Sequence, residues 1–152
     1  MKFTNEMITN KFVRLVEENN QAIVEHFMND VLKHNKTVSF RNFDQQTLYN
    51  IGSRICKELS SWVAKDLPKE KVEEYYIKIG RERKSQGFFV SEVFQALVIL
   101  KRHMWLFIRD NLENNIEELS QALALNDRVV LFFDRATRGL LLGFEEDERK
   151  LF

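Results

Sequence analysis

Residues Ile79–Ile108, IGRERKSQGFFVSEVFQALVILKRHMWLFI, decide the fold. The polar run Arg81–Gln86 ends at Gly87, and glycine fits the left-handed position that follows a helix. A second helix then begins near Val90. Its polar members Glu92, Gln95, Arg102 and Arg109 fall on one narrow stripe. Val93, Phe94, Leu97, Val98, Leu100, Met104, Trp105, Phe107 and Ile108 cover the rest. A helix so apolar is expected at the centre of the molecule, with Trp105 as a core anchor. Gly80, inside the preceding helix, costs about 1 kcal/mol relative to alanine. It shares a face with Tyr76, so close packing of a neighbouring helix is the simplest reason for it.

Working outward, the preceding helix starts at Pro68, since proline suits a first helical position, and runs to Gln86. A helix from about Asp44 to Lys65 comes before it, with Asp44 as N-cap and Leu48, Ile51, Ile55, Leu59 and Trp62 as its apolar stripe. The first helix runs from about Asn5 to Lys36, on the spacing of Ile8, Phe12, Leu15, Val16, Ile23, Phe27 and Val31, with Asn19 and Asn20 as a point of bending. The link Asn35–Phe43 has β-like character at Thr37–Phe40. Beyond the central helix, Val90–Leu112, Asn115 and Glu118 form a capping pair for a short helix. The last helix covers about Asn126–Lys150, or Asn126 merely interrupts one long helix.

The last helix has two apolar faces. Leu123, Val130, Phe133, Leu140, Phe144 and Leu151 recur in steps that suit a seam. Leu125, Val129, Phe132, Ala136 and Gly143 make the other face, and Ala136, Gly139 and Gly143 permit close backbone approach. One face serves the core. The other is free for a partner, which predicts a homodimer with a seam at Val130, Phe133, Leu140 and Phe144.

Composition narrows the function. The 152 residues are one domain, long enough to bury about 70% of the unfolded surface. Lys plus Arg, 23, balances Asp plus Glu, 23, which argues against nucleic acid as a partner. One proline and five glycines leave few breaks, so the chain is expected to be all-α. Thirteen phenylalanines imply a core of large rings. The one cysteine, Cys56, excludes an intrachain disulfide and reads as a small buried hydrophobe in a reducing, cytoplasmic setting. No apolar run reaches membrane-spanning length, so no membrane insertion is expected.

Chemistry-bearing patterns are missing. His26, His34 and His103 show no helical metal spacing and no clearly buried face, so neither metal nor haem is expected. There is no glycine-rich phosphate loop and no nucleophile elbow. A non-enzymatic domain without cofactor is the expectation. The run Arg81–Lys84 resembles an anion site but stands at a helix C-terminus, where cations meet the macrodipole and pair with neighbours.

Gly80-Arg81-Glu82-Arg83, Gly87-Phe88 and Ser91-Glu92-Val93, with Ala96-Leu97, Leu100, Arg102 and Trp105, resemble the N-terminal sensor domain of the stressosome RsbR-type co-antagonists. Similar domains precede bacterial histidine kinases. Phe132-Phe133-Asp134-Arg135-Ala136 and Gly143-Phe144-Glu145 look like that family's closing helix. The resemblance implies a globin-like bundle of five or six helices without haem, a dimer built partly from terminal helices, and a signal relayed to an output domain or partner protein. The sequence ends at Phe152 without an output domain in it, so the expectation is either a piece of a longer signalling protein or a stand-alone regulator. A small apolar ligand would lie between helices three and four and the last helix, against Tyr76, Phe94, Trp105 and Phe133. Two other readings stay open: a haem-binding gas sensor on the same fold, and a pure dimerisation module without a small ligand.

Overall fold

The computed structural model describes the backbone of residues 2–64, 68–111 and 116–150, and the side chains of 10–64, 68–110, 120, 123 and 125–146. Six α-helices follow one another: α1 (Lys2–Glu18), α2 (Asn20–Lys33), α3 (Gln45–Val63), α4 (Lys69–Ser85), α5 (Val90–Asn111) and α6 (Ile116–Lys150). A 3-10 helix, Val38–Asn42, joins α2 to α3. There is no strand among the described residues.

The first expected helix is two. Asn19 leaves helical geometry at φ −117° and ψ 16°, and its side-chain amide donates to the Leu15 carbonyl at 2.9 Å. Asparagine competes in this way with the helical backbone, which is why the bend falls there. The expected β-like character of Thr37–Phe40 is also corrected. The Thr37 hydroxyl, fully buried, donates to the Val31 carbonyl at 2.7 Å and satisfies the end of α2. The chain then turns tightly, with Phe40 N–H on the Thr37 carbonyl. A side chain spent on capping holds the link against the helix it has just left.

Asp44 caps α3 as expected, its Oδ1 accepting the Thr47 N–H at 2.7 Å. Pro68 flanks α4 rather than opening it, so α4 starts one residue later than expected. At the other end Gly87 takes φ +88°. Phe88 N–H reaches the Arg83 carbonyl and Gly87 N–H the Lys84 carbonyl, both at 3.0 Å, which satisfies carbonyls that a helix end leaves open. Glu92 begins α5 from inside. Its carboxylate accepts the Phe89 N–H at 3.2 Å, and the N–H and hydroxyl of Ser39 at 2.7 Å each, tying the 3-10 helix to the α4–α5 turn.

The last two expected helices are one, α6, unbroken through Asn126. The side chains of the expected capping pair, Asn115 and Glu118, lie outside the described residues, as does Leu151. α6 packs most closely on α4. A Cβ on Gly80 would stand 2.5 Å from the Leu140 carbonyl oxygen, and one on Gly139 2.8 Å from that of Glu73. Gly143 lies directly over Ile77, Arg81 and Gly80. The close approach expected from Gly80 and from the small residues of α6 is therefore a single contact between these two helices. Arg81 clamps it from outside with two bonds to Glu146, at 2.5 and 2.6 Å. Arg138 pairs with Glu73, and Lys84 donates to the Phe144 carbonyl at 2.8 Å.

α5 is not buried all round. Val93, Ala96, Leu97, Leu100, Met104 and Ile108 face the core, whereas Phe94 is 47% exposed. Trp105 is only partly buried and packs against the edge of the core, so its expected role as an anchor is corrected. The central large side chains are Phe12, Phe27, Leu48, Leu59, Tyr76 and Phe132.

Candidate functional site

Two hollows bear on a ligand or partner. The larger is an open groove of about 430 Å3 between α5 and α6. Phe94, Leu97, Val98 and Lys101 form its α5 wall, and Phe133, Asp134, Thr137, Arg138 and Leu141 its α6 wall. α5 delivers Phe94, Leu97, Val98 and Lys101 at steps of three, one and three, so they share a side of the helix. On α6, Asp134, Thr137, Arg138 and Leu141 recur in the same way. The floor is apolar because Leu97 and Phe133 belong to the core. The Lys101 ammonium lies 5.8 Å from the centre of the Phe133 ring.

The smaller hollow is a partly open cavity of about 30 Å3, room for about one water molecule. It lies where Tyr76, Ile79 and Arg83 of α4 and Leu140 of α6 meet Phe27, Phe40, Ile55 and Leu97. Arg83 is its one charged lining residue. Its guanidinium rests 5.0 Å from the Phe43 ring centre and 5.9 Å from that of Phe88, and donates to Gln86 at 3.1 Å. Burial pushes its pKa down, yet a guanidinium keeps its charge. The expected reading of Arg81–Lys84 as cations engaged by neighbours fits these contacts of Arg81, Arg83 and Lys84.

The four residues expected to line one pocket part company. Phe94 and Phe133 line the groove, Tyr76 lines the cavity, and Trp105 lines neither. Core packing separates them: Tyr76 is 2% exposed and packs edge-on against the buried Phe132 ring, 6.2 Å between centres. The expected seam divides too. Phe133 and Leu140 are buried within the chain, Phe144 is partly buried, and only Val130 is outward. The outward apolar residues of α6 are Leu123, Val130, Leu131 and Leu141, at 63, 38, 49 and 43% exposure. Leu131 and Leu141 carried no place in the expected seam. The signal was present for Leu141, which lies opposite the glycine face that α4 covers, whereas Leu131 lies to the side of it.

The titratable groups elsewhere are structural. Glu92 is nearly buried, which works to raise its pKa, but the bonds from Ser39 and Phe89 outweigh burial and hold it below the usual carboxylate range. Burial pushes the Cys56 thiol up to about 12 and leaves it a small hydrophobe. Burial, with the Glu58 charge nearby, raises the Tyr76 hydroxyl well above its ordinary value. His103 Nε2 lies 2.7 Å from Asp30, with the His26 ring 5.9 Å away, and His34 Nδ1 accepts the Lys36 N–H at 3.1 Å. None of the three histidines lines the groove or the cavity. Among the described residues no group of three or more His, Cys, Asp or Glu could hold a metal ion. No helix there is long and apolar enough to cross a membrane.

No protein-family model matches the chain, and no curated protein matches it.

Proposed function

We propose that this chain is a non-enzymatic sensor or regulatory domain, similar to the N-terminal domain of the RsbR-type stressosome co-antagonists. It acts in the cytoplasm as a homodimer and passes a signal through α6 to an output domain or partner protein. The observation that carries this reading is the division of α6 into two faces. One is seated on the α4 backbone at Gly139 and Gly143, and the other exposes Leu123, Val130, Leu131 and Leu141. A helix held on one side and apolar on the other suits both a second protomer and a change of pose.

The globin-like arrangement implied by the resemblance is part of the same proposal. Its small apolar ligand, where one acts, would enter the α5–α6 groove, whose floor is core and whose rim is open. A bound molecule shifts a signalling equilibrium only by preferring one pose of α6 to another. The haem-binding alternative is the weaker one, because no histidine faces either hollow.

Sedimentation equilibrium of the purified chain, with an absorption spectrum and extraction of any co-purified molecule, tests this function. A dimer without a Soret band is expected. A monomer at tens of micromolar, a concentration that a modest interface of about 7 kcal/mol needs, overturns the dimeric relay. A dimer that carries no small molecule, and whose unfolding no added apolar compound shifts, favours the assembly module instead.

A further inference from the structure

We propose that the end of the molecule carrying Phe89 and Val38 is a docking surface for an anionic lipid membrane, on which the domain lies without crossing it. Phe89 is 73% exposed, the most exposed large apolar side chain among the described residues, and Val38 is 48% exposed. A lone exposed apolar residue is ordinary. The position of Phe89 is not. It is the N-cap of α5: its carbonyl accepts the Glu92 N–H at 3.0 Å, and its own N–H goes to the Glu92 carboxylate. Serine, threonine, asparagine or aspartate at an N-cap accepts a free helix N–H, and phenylalanine has no acceptor to offer. So exposed a ring gains little from the core either. A residue that supplies neither cap nor packing breaks a local rule, and such breaks are expected at functional sites.

The two apolar side chains stand on one platform. The carboxylate that takes the Phe89 N–H also takes the N–H and hydroxyl of Ser39, the neighbour of Val38. Behind them Phe40 and Phe43 pack on Phe88, at 4.9 and 5.5 Å between ring centres. Neither Val38 nor Phe89 lines the groove or the cavity.

Charge selects the occupant. Val38 and Arg41 are three apart in the 3-10 helix, a spacing that puts them on one side. Lys33, Lys36 and Arg41 are exposed and form no ion pair among the described residues, although Arg41 also donates to the Leu32 carbonyl. Of the carboxylates at this end, Asp44 caps α3, Glu92 is turned to Ser39 and Phe89, and Glu82 lies a turn back on α4. The charge around Val38 and Phe89 is therefore mainly cationic, on a chain whose formal charge is zero. Acidic headgroups meet such cations, while an aromatic ring enters the boundary between headgroups and acyl chains. A lipid surface takes a projecting side chain without a matching pocket.

Co-sedimentation of the full chain with vesicles tests this. At about 0.05 M salt the chain should bind vesicles of equal parts phosphatidylglycerol and phosphatidylcholine. Binding should be about tenfold weaker or less to phosphatidylcholine alone, or at about 0.5 M salt. Phe89→Ser installs a good N-cap, so it should melt no lower than wild type, yet bind the anionic vesicles about tenfold more weakly. Lys36→Glu with Arg41→Glu should weaken binding as well. A wild type that ignores anionic vesicles overturns the proposal, and a more stable Phe89→Ser would then assign the ring to a pocket on a protein partner. Equal binding to both kinds of vesicle, or by wild type and Phe89→Ser, also overturns it.

Discussion

Trp62 and Arg128 hold each other's backbone across α3 and α6. The indole Nε1 donates to the Arg128 carbonyl at 2.8 Å, and the Arg128 guanidinium donates to the Trp62 carbonyl at 2.9 Å. Trp62 lies in the last turn of α3, where carbonyls lack helical partners and a cation is favourable. Arg128 lies within α6, so its carbonyl takes the indole in addition to its own helix. One pair of residues thus caps α3 and fixes where α6 crosses it.

Trp62→Phe keeps most of the ring, which contacts Phe132 at 6.2 Å between centres, and removes the indole donor. It should cost about 1 kcal/mol in urea unfolding, the net worth of one such hydrogen bond. Arg128→Met should cost about as much, and the double variant less than the sum of the two. Full additivity would mean that the two bonds are independent.

Gly80→Ala sets two effects against each other. Alanine favours the helix by about 1 kcal/mol. Its Cβ, however, would stand 2.5 Å from the Leu140 carbonyl oxygen and 3.1 Å from the Leu140 Cα. That neighbour is backbone and cannot swing aside, so the clash wins and the variant should lose about 1–3 kcal/mol. A thermal melt at or above that of wild type would refute the α4–α6 contact.

The Glu92 clasp makes a prediction about acid. A carboxylate whose pKa is lowered on folding contributes stability above its unfolded pKa, and loses it as pH falls through the folded one. The protein should therefore lose stability below about pH 4.3, the ordinary range of a glutamate. Glu92→Gln should flatten that part of the profile. Equal acid slopes in the two proteins would assign the loss to other carboxylates.

Cys56 acts at the alkaline end, with the opposite sign. Its pKa rises from 9.0 to about 12 on folding. Its share of stability is whole below 9 and declines as pH climbs towards 12. Native protein at neutral pH should react with a thiol reagent only as fast as it opens, and Cys56→Ala should lessen the alkaline loss. Immediate full labelling of folded protein would place the thiol at the surface.

Trp105→Ala and Leu100→Ala compare the two sides of α5. Leu100 is fully buried, and its truncation should cost about 2–5 kcal/mol. Trp105, partly buried at the edge of the core, should cost distinctly less, about 1–2 kcal/mol. The same order should appear in fluorescence, with an indole at this position open to a polar quencher. A greater loss at Trp105 than at Leu100 would place the outer side of α5 in the core.

The sequence by itself determined that the chain is helical and where its main stops fall. Asp44, Gly87 and the Asn19 bend are local, and capping chemistry and allowed backbone angles decide them within a few residues. Gly80 announced a close neighbour, and Gly139 and Gly143 announced that the last helix could be that neighbour. Periodicity tells which residues share a face but not what covers it, because cover comes from elements distant in sequence. Only the tertiary structure decided that α4 takes the glycine side of α6. That choice put Phe133 and Leu140 inside and left Leu131 and Leu141 out. It also decided that α5, apolar on nearly every side, has neighbours on only part of its circumference, so Phe94 and Trp105 stand at the rim. The expected pocket came apart for the same reason. Tyr76, Phe94, Trp105 and Phe133 are alike as side chains, and what separates them is the number of helices available to surround each one.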